Sequence, residues 1–495
     1  MDANREQVVE SQGQADTQKI VLKVATRRPD IDCIRVSLTW GILLFHTVHG
    51  FIPDPGWYIR SRYPLGPILF PMTKVFENFM AIWNMPMFFF LSGISSYFAL
   101  FKRSEQQYRD ERVHRLLVPY LFSFLLLWMY SITYFGPYCE EHFATKSNES
   151  RIDNCPSIGN LSNISFASYL RKQFPEAIFS PPGQAWFLWP LFCFSQLFAH
   201  LFTLWHPSHS QVTSDGIPCC GRPICCTRPF SCVIKFFSCI SCFGKPASTP
   251  EELVTSTASW IGKWWKLGLL PGAVFGSFEL LFALLIYGLH FDFLYTALYF
   301  FWDPAYPLML FFGYTITAAD GVIKDSLTKG RWFYLILGLA LALLVSLIQV
   351  GVIELQNAYV FVLLAFFRGL SKWLLILGIY AVTRNAVKSS NRWLQYLSSI
   401  AMPFYLIHQQ LLVAILSGVL WVPYLGSFPV TLILATIASV IAAHIITKLT
   451  NFRYLFGLKP SSNSFFPGKK LRGFIPVLCL AVMSAVVSSF INRSY

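Results

Sequence analysis

Ionisable side chains inside a bilayer are expensive, so the few that interrupt long apolar runs are the first candidates for chemistry. His46 and His408 are two of them. A neutral imidazole shielded from water can take a proton from a hydroxyl near neutral pH; taken singly, each histidine is equally well read as a hydrogen-bonded packing residue. Arg35 precedes His46 by eleven residues. At about 100° per residue that is three turns plus about 20°, so the two share one helix face about 16 Å apart. His49 lies one turn beyond His46. Arg368 and Lys372, also one turn apart, and Glu279 are further charges within apolar runs, and mutual pairing is the expectation for these three.

A second group is basic and sits at the edge of an apolar run. Arg109, Arg112 and Arg115 repeat at i, i+3, i+6, a stripe of guanidinium groups of the kind that grip phosphate oxygens bidentately. The plainer reading of the same stripe is an anchor on anionic lipid. Upstream, the aromatic run from Asn84 ends in Ser92 and Gly93, two small residues that let a neighbouring helix approach closely.

These residues need elements to hold them, and the composition says which. Of the 495 residues 54% are hydrophobic and 13% charged, against roughly 25% charged in a soluble domain. Helices of about 20 apolar residues satisfy their own backbone in lipid, so the expected fold class is an all-α integral membrane bundle of about ten or eleven spans. The spans fall near 36–52, 73–100, 116–138, 184–205, 264–288, 299–318, 332–353, 359–382, 395–418, 429–448 and 473–490. The second is long enough to tilt or break, Pro190 interrupts the fourth, and the last is an extra terminal span. One membrane domain is expected over 35–450, between an N-terminal tail (1–34) and a C-terminal segment (451–495).

Lys and Arg number 39 against 25 Asp and Glu, a net charge of +14. In a soluble chain this would suggest nucleic acid; here the basic residues lie between apolar runs, as the positive-inside rule explains, and no nucleic-acid partner is expected. The groups around Arg27, Arg103, Lys329 and Arg384 fall on one side in the span count, which puts the N-terminus in the cytoplasm of a multi-pass protein of the endomembranes or cell surface. The polar start lacks the apolar core of a cleaved signal peptide, so the first span serves as the signal. The 139–183 loop then lies on the opposite side. It carries acceptor triplets for glycosylation at Asn148, Asn160 and Asn163, with a further one at Asn492, and a possible disulfide between Cys139 and Cys155. The 206–263 insertion on the cytoplasmic side holds seven of the twelve cysteines. Cys239 and Cys242 have the spacing of half a zinc site, but the other five match no standard finger, and no metal is assigned. A palmitoylated loop lying on the membrane and an unmodified insertion both stay open.

In this setting the motifs resemble those of the acyltransferase-3 family, over about residues 29 to 450. Asp32-Cys-Ile-Arg35 followed by His46 is similar to the family's Asp-x-x-Arg and Arg-x10-His signature. The run from Met85 to Gly93, Arg112-Val-His-Arg115-Leu-Leu-Val-Pro119, Ala185-Trp-Phe-Leu188 and Tyr405-Leu-Ile-His408 follow in the family's order. The overall wording is most similar to the branch named for the bacterial glucan-biosynthesis protein C. The resemblance implies a ten-helix O-acyltransferase, with cytosolic acyl-coenzyme A as co-substrate, no bound cofactor, and a carbohydrate or lipid hydroxyl as acceptor. It implies His46 as general base and Arg35 as the residue that orients it or holds the donor. Arg109, Arg112 and Arg115, with Asp32 and Ser92, would form the substrate-binding set, and His408 would lie on the acceptor path. The cysteine-rich insertion and the extra terminal span depart from the family's common core. A carrier that uses the same His and Arg residues for protons or an anion is the alternative, and the chain lacks the internal repeat that many carriers show.

Overall fold

The computed structural model describes residues 27–52, 69–124, 185–206, 262–289, 303, 305–353, 358–419, 428–449 and 452–459. These contain helices and turns and no strand. The helices are α1 (Pro29–His49), α2 (Leu69–Leu100), α3 (Glu105–Arg112), α4 (Val118–Phe122), α5 (Leu188–Leu204), α6 (Trp264–Leu289), α7 (Ala305–Ala318), α8 (Asp320–Gln349), α9 (Ala358–Ala386), α10 (Arg392–Val419) and α11 (Phe428–Lys448). A π-helical turn, Val113–Leu117, joins α3 to α4, and a 3₁₀ turn, Phe452–Phe456, follows α11.

Seven of the described helices are long and apolar enough to cross a membrane: α1, α2, α6, α8, α9, α10 and α11; α5 and α7 are shorter apolar helices. The chain is an all-α polytopic membrane bundle. Residues 125–138 of the expected third span (116–138) and the whole of the expected span at 473–490 lie outside the described residues, as do the Asn148, Asn160 and Asn163 triplets, Cys139, Cys155, and the cysteines of the 206–263 insertion.

Local chemistry explains most of the boundaries. Pro29 opens α1, where its missing N–H costs nothing, and Asp30 and Asp32 lie in the first turn against the positive end of the helix dipole. Ser104 and Gln107 close a capping box at the start of α3. Pro86 sits inside α2 without breaking it: the helix runs on for 32 residues, about 48 Å at the helix rise, with neighbouring helices covering the freed backbone. Pro190 also corrects the expectation. It falls in the first turn of α5, where a proline is tolerated, and so marks a start and not an interruption. α8 begins at Asp320, well before its apolar part, because its first three turns carry Lys324, Asp325, Lys329 and Arg331.

Close approach and outward faces complete the packing. A Cβ at Gly93 would lie 2.0 Å from the Leu310 carbonyl oxygen, and one at Gly313 would lie 2.0 Å from that of Phe90, so α2 and α7 touch backbone to backbone, as the small residues suggest. Ile433, Ile437, Ile441 and Ile445 form an exposed stripe on α11, and Ile336, Leu339 and Leu343 do so on α8. Only 22% and 28% of those two apolar windows are buried, so these faces meet lipid. The charged helix ends gather at one end of the bundle. Arg384 pairs with Asp320, Arg28 reaches the Tyr380 hydroxyl at 3.5 Å, and Arg27 donates to the Gln395 carbonyl at 3.4 Å.

Candidate active site

At that charged end a cavity of about 340 Å³ opens between α1, α2, α3 and the π turn. Six cations line it (Arg28, Arg35, Lys102, Arg103, Arg112 and Arg115) against two carboxylates, Asp32 and Glu111. Like charges so crowded repel one another unless an anion joins them, and a concave, partly desolvated wall focuses their field.

The acids organise the cations. Asp32 accepts from Arg27 at 2.5 Å, Ser398 at 2.7 Å and Arg35 at 3.3 Å. It therefore ties the start of α1 to α10 and fixes Arg35, and its oxygens are already engaged. Glu111 bridges Arg103 and Arg115, each at 3.0 Å. Burial, countered by Glu111 and reinforced by Arg112 and Arg103, holds the Arg115 guanidinium below its ordinary value. Burial and the adjacent Arg115 likewise push His114 down to about 4, so this imidazole is neutral.

Arg112 is the most enclosed of the lining arginines outside the spans, with 8% of its surface exposed. It donates to Ser96 Oγ at 3.0 Å, which is 2.8 Å from the Tyr108 hydroxyl, and its guanidinium lies 4.7 Å over the Tyr108 ring. Its buried Nε has no hydrogen-bond partner among the described residues. A desolvated guanidinium on a cavity wall with an N–H that lacks an acceptor suits an anionic ligand.

The π turn has a cause in the sequence. Pro119 has no N–H for the Arg115 carbonyl four residues back, and its ring crowds that carbonyl; Val118 instead donates to Val113. The three arginines do not form one stripe. Arg109 points to α5, bound to Glu105 at 2.7 Å and to the Gln196 carbonyl at 2.7 Å, while Arg112 and Arg115 line the cavity. Ser92 is also away from the lining, buried beside the α2–α7 contact, and its carbonyl accepts from Ser96.

Further in along α1, the two histidines meet. The His46 and His408 ring centroids are 5.3 Å apart. His408 is fully buried; its Nδ1 lies 2.6 Å from the Tyr405 carbonyl oxygen, so Nδ1 carries the hydrogen and Nε2 is left as an acceptor. That Nε2 has no hydrogen-bond partner among the described residues. Phe404 lies parallel to His408 at 6.2 Å, and Trp40 packs on Phe404 at 5.3 Å. Tyr405 meets Phe187 edge to face at 4.9 Å, and Phe88 lies 5.5 Å from the same ring. Segments hundreds of residues apart, on α1, α2, α5 and α10, thus converge on one imidazole pair.

Two acids near this region escaped the sequence reading. Glu77 lies 3.1 Å from His49 Nε2 and 3.2 Å from Lys74. Asp303 joins Glu279 in holding Lys372, at 2.7 Å, and its other oxygen accepts the Ala305 N–H at the start of α7. Of the two cations that Glu279 could neutralise, Lys372 is one that it holds. The signal for Asp303 was there too, a carboxylate beside an apolar run, but nothing local says which cation it meets. Among the described residues no three His, Cys, Asp or Glu side chains group as metal ligands.

A family model described as an acyltransferase domain, acyltransferase-3, matches residues 28–448. The matched stretch contains both histidines and every cavity residue named above. It gives the family and not a branch within it. No curated protein matches the chain, and no solved structure does.

Proposed function

The chain belongs to the acyltransferase-3 family and is a membrane acyltransferase, and from that premise we propose that it moves an acyl group from acyl-coenzyme A to a hydroxyl of a carbohydrate or lipid. The observation that carries this reading is the six-cation cavity at the foot of the helix that bears His46. The phosphates of the donor sit among Arg112, Arg115 and Arg35. The arm of the donor then runs along α1, where Arg35 and His46 are about 16 Å apart along the axis, a gap that an extended pantetheine chain can bridge.

His46 takes the proton of the acceptor hydroxyl as its oxygen attacks the thioester carbonyl. The C–S bond breaks, the ester forms, and the proton passes to the departing thiolate, which leaves as free coenzyme A. His408, whose Nε2 is an acceptor in the same site, belongs to the acceptor path and holds a neighbouring hydroxyl of the acceptor, since the attacking hydroxyl gives its own hydrogen to His46. The charged end faces the cytoplasm, in keeping with the basic loops, so donor and acceptor approach from opposite faces.

The test is coenzyme A release from acetyl- and longer acyl-coenzyme A in membranes that hold wild-type protein or His46→Ala at matched expression, with a lysate extract as the acceptor source. Loss of a general base lowers the rate by about 10²- to 10⁴-fold, so release present in the wild type and absent in the variant is the expected result. Equal release in both sinks the assignment of His46 and favours a carrier.

A further inference from the structure

Beyond Lys448, where the acyltransferase domain ends, the chain turns against the π turn and α4. The turn Phe452–Phe456 is closed by Gly457, whose N–H bonds to the Tyr454 carbonyl at 3.1 Å while Leu458 bonds to that of Arg453 at 3.1 Å. With Gly457 at φ 68°, this is the glycine-ended stop that a side chain would strain. The turn is packed against the π turn and its flank at three places. The Tyr454 ring stacks on His114 with centroids 4.2 Å apart. Phe456 meets Phe122 edge to face at 5.1 Å. Gly457 backs onto the Arg115 carbonyl so closely that a Cβ would lie 2.9 Å from that oxygen and 3.0 Å from Pro119.

We propose that residues 453–458, which lie outside the acyltransferase domain, are a clamp that holds the π turn in register and so aims Arg115 into the donor cavity beside Arg112. Pro119 breaks the helical ladder at Arg115 but does not choose how the break resolves: a kink or a π turn would each relieve the crowding. π turns are rare because they spread one extra residue over a turn, and they persist where surroundings support them. The C-terminal turn supplies that support at the second residue of the π turn, at the carbonyl that Pro119 releases, and on the helix just after it. A slip of one residue rotates the side chains that follow by about 100°, which would take Arg115 off Glu111 and out of the cavity. Tyr454 and Gly457 are therefore positioning residues, acting through Arg115 and not on the donor. The proposal rests on the donor reading given above.

The experiment uses purified full-length protein in detergent micelles, with coenzyme A as the probe. Binding is titrated for wild type, Tyr454→Ala, Tyr454→Phe, Gly457→Val and Arg115→Ala, and amide hydrogen exchange over 113–118 and over α1 is followed in the same samples. Tyr454→Ala and Gly457→Val are expected to weaken binding about tenfold, as small misplacements of binding groups do, and to speed exchange at 113–118 with α1 unchanged. Tyr454→Phe keeps the ring stack and restores both. If Gly457→Val also loosens α1, the milder Tyr454→Ala decides. Unchanged exchange and affinity overturn the clamp. Faster exchange at unchanged affinity, while Arg115→Ala still weakens binding, overturns the aiming role. Binding that survives Arg115→Ala overturns the donor reading itself, and the aiming role with it.

Discussion

Arg109 and Arg112 stand three residues apart and serve different partners. Three residues turn a helix by about 300°, which is enough to send Arg109 across to Glu105 and Gln196 while Arg112 lines the cavity. Arg112→Ala should therefore raise the acyl-coenzyme A KM about tenfold or more, the value of a hydrogen bond to a charged group. Arg109→Ala should leave that KM unchanged and cost about 1 kcal/mol of stability at most, as a part-exposed pair does. Donor titrations of the two variants side by side check this; an equal rise in both would restore the single stripe. In the span count the helices of His46 and His408 run the same way and place both rings at similar depth, which allows their meeting without requiring it. Ser398, Glu77 and Asp303 were not legible in the sequence, since each acts on a residue of a distant segment and nothing in its neighbours announces the partner.

Among the elements, the apolar cores of the helices were legible to within a few residues and their irregular ends were not. The start of α8 at Asp320 lies beyond any hydropathy window, because its polar turns are helical for reasons other than lipid. The π turn was equally hidden: Pro119 was visible, but whether a proline kinks a helix, starts one or opens a π turn depends on what packs against it. The α2–α7 contact was the opposite case, written directly in small residues. Gly313→Val places side-chain atoms on the Phe90 carbonyl, which forces the two backbones apart at a cost of about 3 kcal/mol or more. The expected outcome is a clear fall in thermal midpoint in detergent together with loss of transfer, since α2 also carries the Ser95, Phe98 and Ala99 wall of the cavity. An unchanged midpoint would mean that the helices are not in backbone contact.

For the molecule as a whole, one charged end and two outward apolar stripes define how it sits in lipid. Exposed Trp264, Trp332 and Trp393 near that end suit the level of the headgroups. If that end is cytoplasmic, protease added outside sealed vesicles of cytoplasmic-side-out orientation should cut the 206–263 insertion. Protection of that loop, read by an epitope placed within it, would invert the topology and with it the side from which the donor enters.

The Lys372 cluster has a consequence for how the protein is made. Glu279 and Asp303 lie 93 and 69 residues before the lysine that holds them, so two carboxylates are synthesised well ahead of their counter-ion. Each charge released alone to the centre of the bilayer costs about 3 kcal/mol on insertion scales. Nascent α6 and α7 are thus poor candidates for early release into lipid, and the sensible point of departure from the insertion machinery is after α9 has emerged. Biogenesis of this region then proceeds by the batch, α6 to α9 together, and Lys372 is the residue whose arrival dismisses them.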